Sequence, residues 1–177
     1  MRFRLAALVV ALASLFCLQS CSRAPEASAA GLWEQTDTTG KADGWFLVAE
    51  HDGRYDVRLV KLFSKPGADP NPLCTKCVGR QRDASWLGLT VVEGMRRNGF
   101  DYRDGTILDP RNGFKFYGRM QLSPDGQALT VRGYLGIEPL GGSDVWRRLP
   151  DSAYNELDPT VAAGHARGAT QDGRTPA

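Results

Sequence analysis

Cys74-Thr75-Lys76-Cys77 places two thiols three residues apart, a spacing open to a local disulfide, a redox pair or half of a metal site. The pair lies in Ser64–Ser85, a 22-residue connection that carries Pro66, Pro70 and Pro72. Connections that long in a compact domain are usually functional or disordered. In an oxidising compartment the simplest expectation is a Cys74–Cys77 disulfide that fixes the connection. A thioredoxin-like site would need the first cysteine at a helix N-terminus, which lowers its pKa. The flanking residues read instead as loop and strand. Zinc would need further ligands, and within the folded stretch only His51 is available, because His165 falls near the C-terminus. Neither a metal nor another cofactor is expected, and free or variably oxidised thiols are the remaining alternative.

Carboxylates come next. Asp109 precedes Pro110, with Asp101, Asp104 and Glu93 as potential acid/base partners. Spacing alone does not bring two of them to a catalytic separation. Turn chemistry explains Asp109 more simply: an aspartate here bonds the following backbone, and Gly113 completes the turn. His51 stands beside Asp52 without a Gly-x-Ser-x-Gly elbow, so it reads as a surface histidine. Arg132-Gly133-Tyr134 either points a guanidinium into an interior to meet an anionic head group or braces the end of the fold. Arg96-Arg97 reads as a solvated turn tip rather than a phospholipid contact. No catalytic set emerges.

The composition, 42% hydrophobic and 24% charged, fits one globular domain and excludes a membrane bundle. The net charge of +2 has a local origin. Arg2 and Arg4 precede the apolar run Leu5–Leu18, and without residues 1–20 the chain holds 20 basic and 20 acidic residues. A basic nucleic-acid surface is therefore not expected. The run is shorter than the roughly 20 residues of a spanning helix and reads as the core of an export signal. Leu18-Gln19-Ser20-Cys21 resembles a bacterial lipobox. That resemblance implies a signal peptide over residues 1–20, lipidation of Cys21 and anchorage in a membrane. Ser22 rather than aspartate after the cysteine implies the outer membrane, facing the periplasm. Cleavage at Ala27-Ser28-Ala29, giving a soluble periplasmic protein, is the alternative.

Residues 21–30 then form a tether, 31–149 the folded domain and 150–177 a disordered tail without apolar periodicity. Within the domain, turn dipeptides such as Asp52-Gly53, Asn112-Gly113 and Asp125-Gly126 separate stretches of period-two hydrophobicity. Phe114–Leu122 and Gln127–Leu135 alternate most clearly. The pattern predicts an all-β fold, an antiparallel meander of about eight strands closing into a barrel, with an open curved sheet or sandwich as the alternative. Such a barrel is either filled by side chains or holds one small ligand. Trp45, Phe46, Trp86, Phe114, Phe116 and Tyr134 would serve equally as core or as pocket lining.

Gly31-Leu32-Trp33 resembles the Gly-x-Trp that opens the first strand of lipocalin-type barrels. Gly88-Leu89-Thr90, the run Gly105 to Pro110, Gly113, the run Leu129 to Gly136, and Trp146-Arg147-Arg148 follow in order. Together they resemble the bacterial exported family known as domain of unknown function 2147, over about Gly31–Arg148. The resemblance implies a small, secreted, lipocalin-like barrel and supplies no activity or catalytic residues. Since lipocalin-type barrels brace one end with an arginine on a tryptophan, it also implies that role for Arg132 with Trp33 or Trp146.

The expectation is a lipid-anchored, non-enzymatic barrel of the cell envelope. It would bind a small apolar or amphipathic ligand, or an envelope partner of unknown identity, with Trp33, Arg132, Tyr134 and Trp146 at the ligand site or barrel end. The alternatives are a hydrolase using carboxylates such as Asp109 and a scaffold acting through the Cys74–Cys77 loop.

Overall fold

Turn residues end the strands where the sequence places them. Asp52 and Gly53 both take positive φ (51° and 71°), the geometry of a tight hairpin, and Gly113 and Gly126 do the same at later turns. The structure, a computed structural model, describes residues 27–136 and 141–161. Cys21, the stretch expected to be a signal peptide and the end of the chain lie outside the described residues.

Among the described residues there are eight strands. They are β1 (Gly31–Thr36), β2 (Ala42–His51), β3 (Arg54–Leu62), β4 (Thr90–Asn98), β5 (Asp101–Asp109), β6 (Phe114–Leu122), β7 (Ala128–Tyr134) and β8 (Gly142–Arg148). Each pairs antiparallel with the next, and β8 returns to β1, so the sheet closes as a barrel. The open sheet and the sandwich are thereby set aside. The closing seam is short, Trp33 opposite Arg148 and Glu34 opposite Arg147. An ion pair from Arg147 Nη2 to Glu34 Oε1 (2.8 Å) reinforces it on the outside.

Strand parity divides the apolar residues into two clusters. Inside the barrel, Trp33, Val48, Val57, Met95, Tyr102, Met120 and Leu129 are fully buried. A second cluster lies outside it, where Leu32, Trp45, Leu47 and Val60 meet Ala153 and Leu157. The latter two belong to and follow a 3-10 turn, Asp151–Glu156. The loose tail expected from Pro150 is therefore corrected: through Leu157 the chain covers the outer face of β1–β3. Burial of Ala153 and Leu157 there contributes about 2–3 kcal/mol. It also explains why β2 is buried on both faces from Gly44 to Val48.

Two more boundaries shift. β4 runs on to Asn98, which puts Arg96-Arg97 inside a strand rather than at a turn tip. Arg97 Nη2 donates to Ala27 O at 2.7 Å. The last residues of the stretch expected to be a tether pack onto the barrel. Ala29 is fully buried, its N–H donates to the Tyr102 hydroxyl (2.8 Å), and its carbonyl accepts from Trp33 Nε1 (2.8 Å).

The barrel thus has two unlike ends. The β2–β3, β4–β5 and β6–β7 turns gather with Ala27–Ala30 at one end, which is sealed. The other end carries the β1–β2, β5–β6 and β7–β8 connections and the long 63–89 loop.

Candidate functional site

The lower half of the barrel is solid. Met95, Tyr102 and Met120 are fully buried, and the Tyr55 and Tyr102 rings meet edge to face at 4.8 Å. Gly118 makes room for this floor, since a Cβ there would stand 2.3 Å from Met95 Cε.

Above the floor lies a cavity of about 450 Å³, within the usual size range of small-ligand sites. Phe46, Leu59, Val92, Ile107, Phe116 and Trp146 form much of its wall. Phe46 and Trp146 stack at 4.3 Å between centroids. Gly133 leaves the wall recessed, because a Cβ added there would meet Phe116 Cβ only at 3.5 Å. The rim is polar. Gln35, Asp43, Asp109, Arg111 and Asp144 come from the mouth ends of β1, β2, β5, the β5–β6 turn and β8.

Cys74 and Cys77 form a disulfide, as expected, and both are buried. The long loop folds on itself, with Cys74 N–H donating to Ala84 O (2.8 Å) and Trp86 N–H to Pro72 O (2.9 Å). It then packs against the rim. Cys74 Sγ lies 3.4 Å from Pro110 O, and Lys76 O is so close to Gly113 that a Cβ would sit 2.1 Å from it. Only glycine fits that position, at φ 75°. The disulfide therefore holds the loop that brings Trp86 to the cavity wall.

The expected site residues separate on this map. Trp146 lines the cavity, and Trp33 lies buried at the sealed end. Arg132 and Tyr134 do not enter the barrel. Val131 and Gly133 point inward, so period-two geometry turns both outward. Arg132 Nη1 donates to Ser143 Oγ (2.7 Å), and Tyr134 lies against Tyr117 at 5.9 Å. The bracing arginine is Arg148. Its guanidinium carbon stands 4.2 Å from the Trp33 ring centroid, and it donates to the carbonyls of Ser28, Ala30 and Gly126. Parity on β8 was the available signal: Arg148 shares the inward face with Trp146, and Arg147 does not. Of the six aromatics considered for a pocket, Phe46, Trp86 and Phe116 line it. Trp45 faces outward beneath the 3-10 turn, Phe114 is exposed, and Tyr134 is on the outer wall.

The carboxylates do not assemble. Asp109 and Asp101 stand at opposite ends of β5. Asp109 accepts from Arg111 N and Nε and from Asn112 Nδ2, so it caps the turn. Asp101 receives Arg119 (Nη2 at 2.7 Å) and Arg103, and these bonds hold its carboxyl below the usual range. Asp104 sits beside the irregular step in the β5–β6 register, with φ 65°. Glu93 is exposed on β4. His51 Nε2 lies 3.2 Å from Asp56 Oδ2 beside the β2–β3 turn, at the opposite end from Cys74 and Cys77.

Among solved structures the chain is similar to protein HP1028 from the human pathogen Helicobacter pylori, described as belonging to the lipocalin family. The TM-score is 0.62 at 16% sequence identity, covering 78% of this chain and 97% of the other. At that identity the likeness establishes the fold, a lipocalin-like barrel. No curated protein matches the chain. A family model does, over residues 31–148, from the first residue of β1 to the last of β8. With the closed barrel and that match in hand, the chain belongs to the family described as uncharacterized protein conserved in bacteria, DUF2147.

Proposed function

We propose that this protein is a lipid-anchored carrier of the cell envelope that takes a small apolar or amphipathic molecule into its barrel. The observation that carries this reading is the apolar cavity of about 450 Å³, closed by a packed floor and opening at one end under a polar rim. Apolar walls give affinity by excluding water, and the rim leaves a head group solvated.

The anchor fits this arrangement. Ala27–Ala30 are held at the sealed end by Arg97, Arg148 and Tyr102. From Cys21 to Ala27 an extended chain spans about 20 Å at most. A nine-residue strand such as β5, tilted as in small barrels, rises about 23 Å. A lipid on Cys21 would thus hold the sealed end toward its bilayer and turn the mouth away, toward ligands or partners in the aqueous space.

The test uses the neutral fluorophore N-phenyl-1-naphthylamine. Saturable enhancement of its emission with micromolar Kd is expected, and no enhancement would sink the carrier reading. Palmitate labelling of the wild type but not of Cys21→Ala checks the anchor; equal labelling of the two would remove it.

A partner-docking reading also has an observation behind it. Leu73 and Val78 flank the disulfide and are 51% and 73% exposed. Photo-crosslinking from those two positions in cells is expected to capture a discrete envelope protein, and an absence of adducts would count against that reading.

A further inference from the structure

We propose that the cavity selects amphipaths whose head group is a cation of the ammonium class. This rests on the carrier reading and adds to it a sign of charge.

The first observation is the charge balance of the lining. Among the described residues, the cavity wall and rim contain three carboxylates, Asp43, Asp109 and Asp144, against one guanidinium, Arg111. Arg111 is committed to Asp109, with Nε 2.9 Å from Oδ1. Its charge is therefore matched within the turn and is not offered to an anion. Asp109 raises the Arg111 pKa by hydrogen bonding, and the charges of Asp43 and Asp144 raise it further. The three carboxylates, from three different elements, thus act on one small region of the mouth. Asp144 accepts from the neutral Gln35 amide (Nε2 at 2.9 Å), which places the carboxylate without cancelling its charge. A bound head group in this mouth meets a net negative field, strengthened by the low-dielectric wall below.

The second observation is independent of the rim. The indole N–H groups of Trp86 and Trp146, both cavity-lining residues, are buried and have no hydrogen-bond partner among the described residues. Trp146 is 4% exposed. A buried donor left without an acceptor is unfavourable, and an acceptor oxygen brought to it by a small turn of the indole on ligand binding offsets that cost. Aromatic rings also attract cations at their faces, and Phe46, Phe116 and the two tryptophans surround the space beneath the carboxylates. The combined specification is a cationic head, an ester or amide oxygen and an apolar chain.

The experiment displaces N-phenyl-1-naphthylamine from the full-length protein with decyl-chain amphipaths below their micellar concentrations. Decyltrimethylammonium is expected to compete at least ten-fold more strongly than decyl sulfate, and decanoylcholine, which adds an ester oxygen, more strongly still. The preference should shrink as salt rises, because the rim is exposed. Asp43→Asn with Asp144→Asn is expected to abolish the charge preference, read as the ratio of decyltrimethylammonium to decyl sulfate competition within the same variant. Trp146→Phe should remove the added gain of decanoylcholine and spare the charge preference. Equal or stronger competition by decyl sulfate overturns the inference and leaves the carrier reading standing. So does a charge preference that survives the double asparagine variant. Failure of the fluorophore and of every amphipath to bind overturns both.

Discussion

Arg148 and Trp33 close the sealed end together: the guanidinium lies over the indole face at 4.2 Å while its N–H groups satisfy three backbone carbonyls of Ser28, Ala30 and Gly126. The same two residues are paired in register at the β1–β8 seam. One side chain thus joins the seam, the entering chain and the β6–β7 turn. Arg148→Ala is expected to lower stability by about 2–4 kcal/mol through lost charge-assisted bonds and unpaired carbonyls. Arg148→Lys, which keeps charge but not the planar fork, should recover less than half of that. Urea midpoints measure both; a change within about 0.5 kcal/mol for the alanine variant would contradict the brace.

Glu34 ties the outer side of that seam. Burial raises its carboxyl pKa, but hydrogen bonds from Arg147 and Trp45 and the Arg147 charge outweigh this and hold it below the ordinary value. Asp101 is likewise held low, first by its bond from Arg119. A carboxylate depressed in the folded state stabilises above its unfolded pKa, and that stability is lost as pH falls through the folded value. Thermal unfolding from neutral pH into the acid range should therefore show a falling midpoint. Glu34→Gln should flatten the acid limb while lowering the neutral plateau, and an unchanged slope would remove Glu34 from the linkage.

Much of this fold is legible in the sequence because its signals are local. Asp52-Gly53 and Asn112-Gly113 mark turns by backbone chemistry, and alternation in Phe114–Leu122 marks a strand. The errors arise where parity must be referred to something distant. Arg132 looks like a barrel-end arginine until its neighbour Val131 is known to point inward. Trp45 looks like pocket lining until the chain after Pro150 covers the opposite face of β2. The rim is harder again, because Asp43, Asp109 and Asp144 come from three elements, stand at least 35 positions apart in the sequence and meet only when the barrel closes.

The disulfide is local and should behave so. For the short loop closed by Cys74 and Cys77, chain entropy gives a contribution of about 2 kcal/mol or less. Cys74→Ser with Cys77→Ser is expected to leave a cooperatively folded barrel with faster amide exchange across residues 63–89. Because this loop presents Trp86 to the cavity, fluorophore affinity should fall several-fold. Unchanged exchange in the loop would show that its packing on Gly113 suffices without the bond.

Gly133 offers a way to fill the cavity without strain. It is not at positive φ, and a Cβ there makes only ordinary contact with Phe116 and Ile107. Gly133→Leu should therefore project its side chain over Phe116 into open space. Fluorophore binding is expected to weaken at least ten-fold with the melting temperature held within a few degrees. Tight binding by a well-folded leucine variant would place the ligand elsewhere.

The chain beyond β8 gives the sharpest contrast with composition-based reading. Pro150–Val161 has no helical periodicity, yet Leu157 is 7% exposed in the outer cluster with Leu32, Trp45 and Leu47. Trp45 depends on this cover: Lys61 Nζ lies 4.0 Å from its ring centroid and also bonds Glu156 Oε2 at 2.8 Å. A chain ending at Leu149 would expose the outward faces of β1, β2 and β3, leaving a sheet hydrophobic on both sides. Leu157→Ala is expected to cost about 2–3 kcal/mol. A chain ending at Leu149 should lose more than Leu157→Ala and tend to self-associate, read by denaturation midpoints and sedimentation. If that short chain were as stable and monomeric as the full one, the 3-10 turn would be an ornament on the barrel rather than its outer wall.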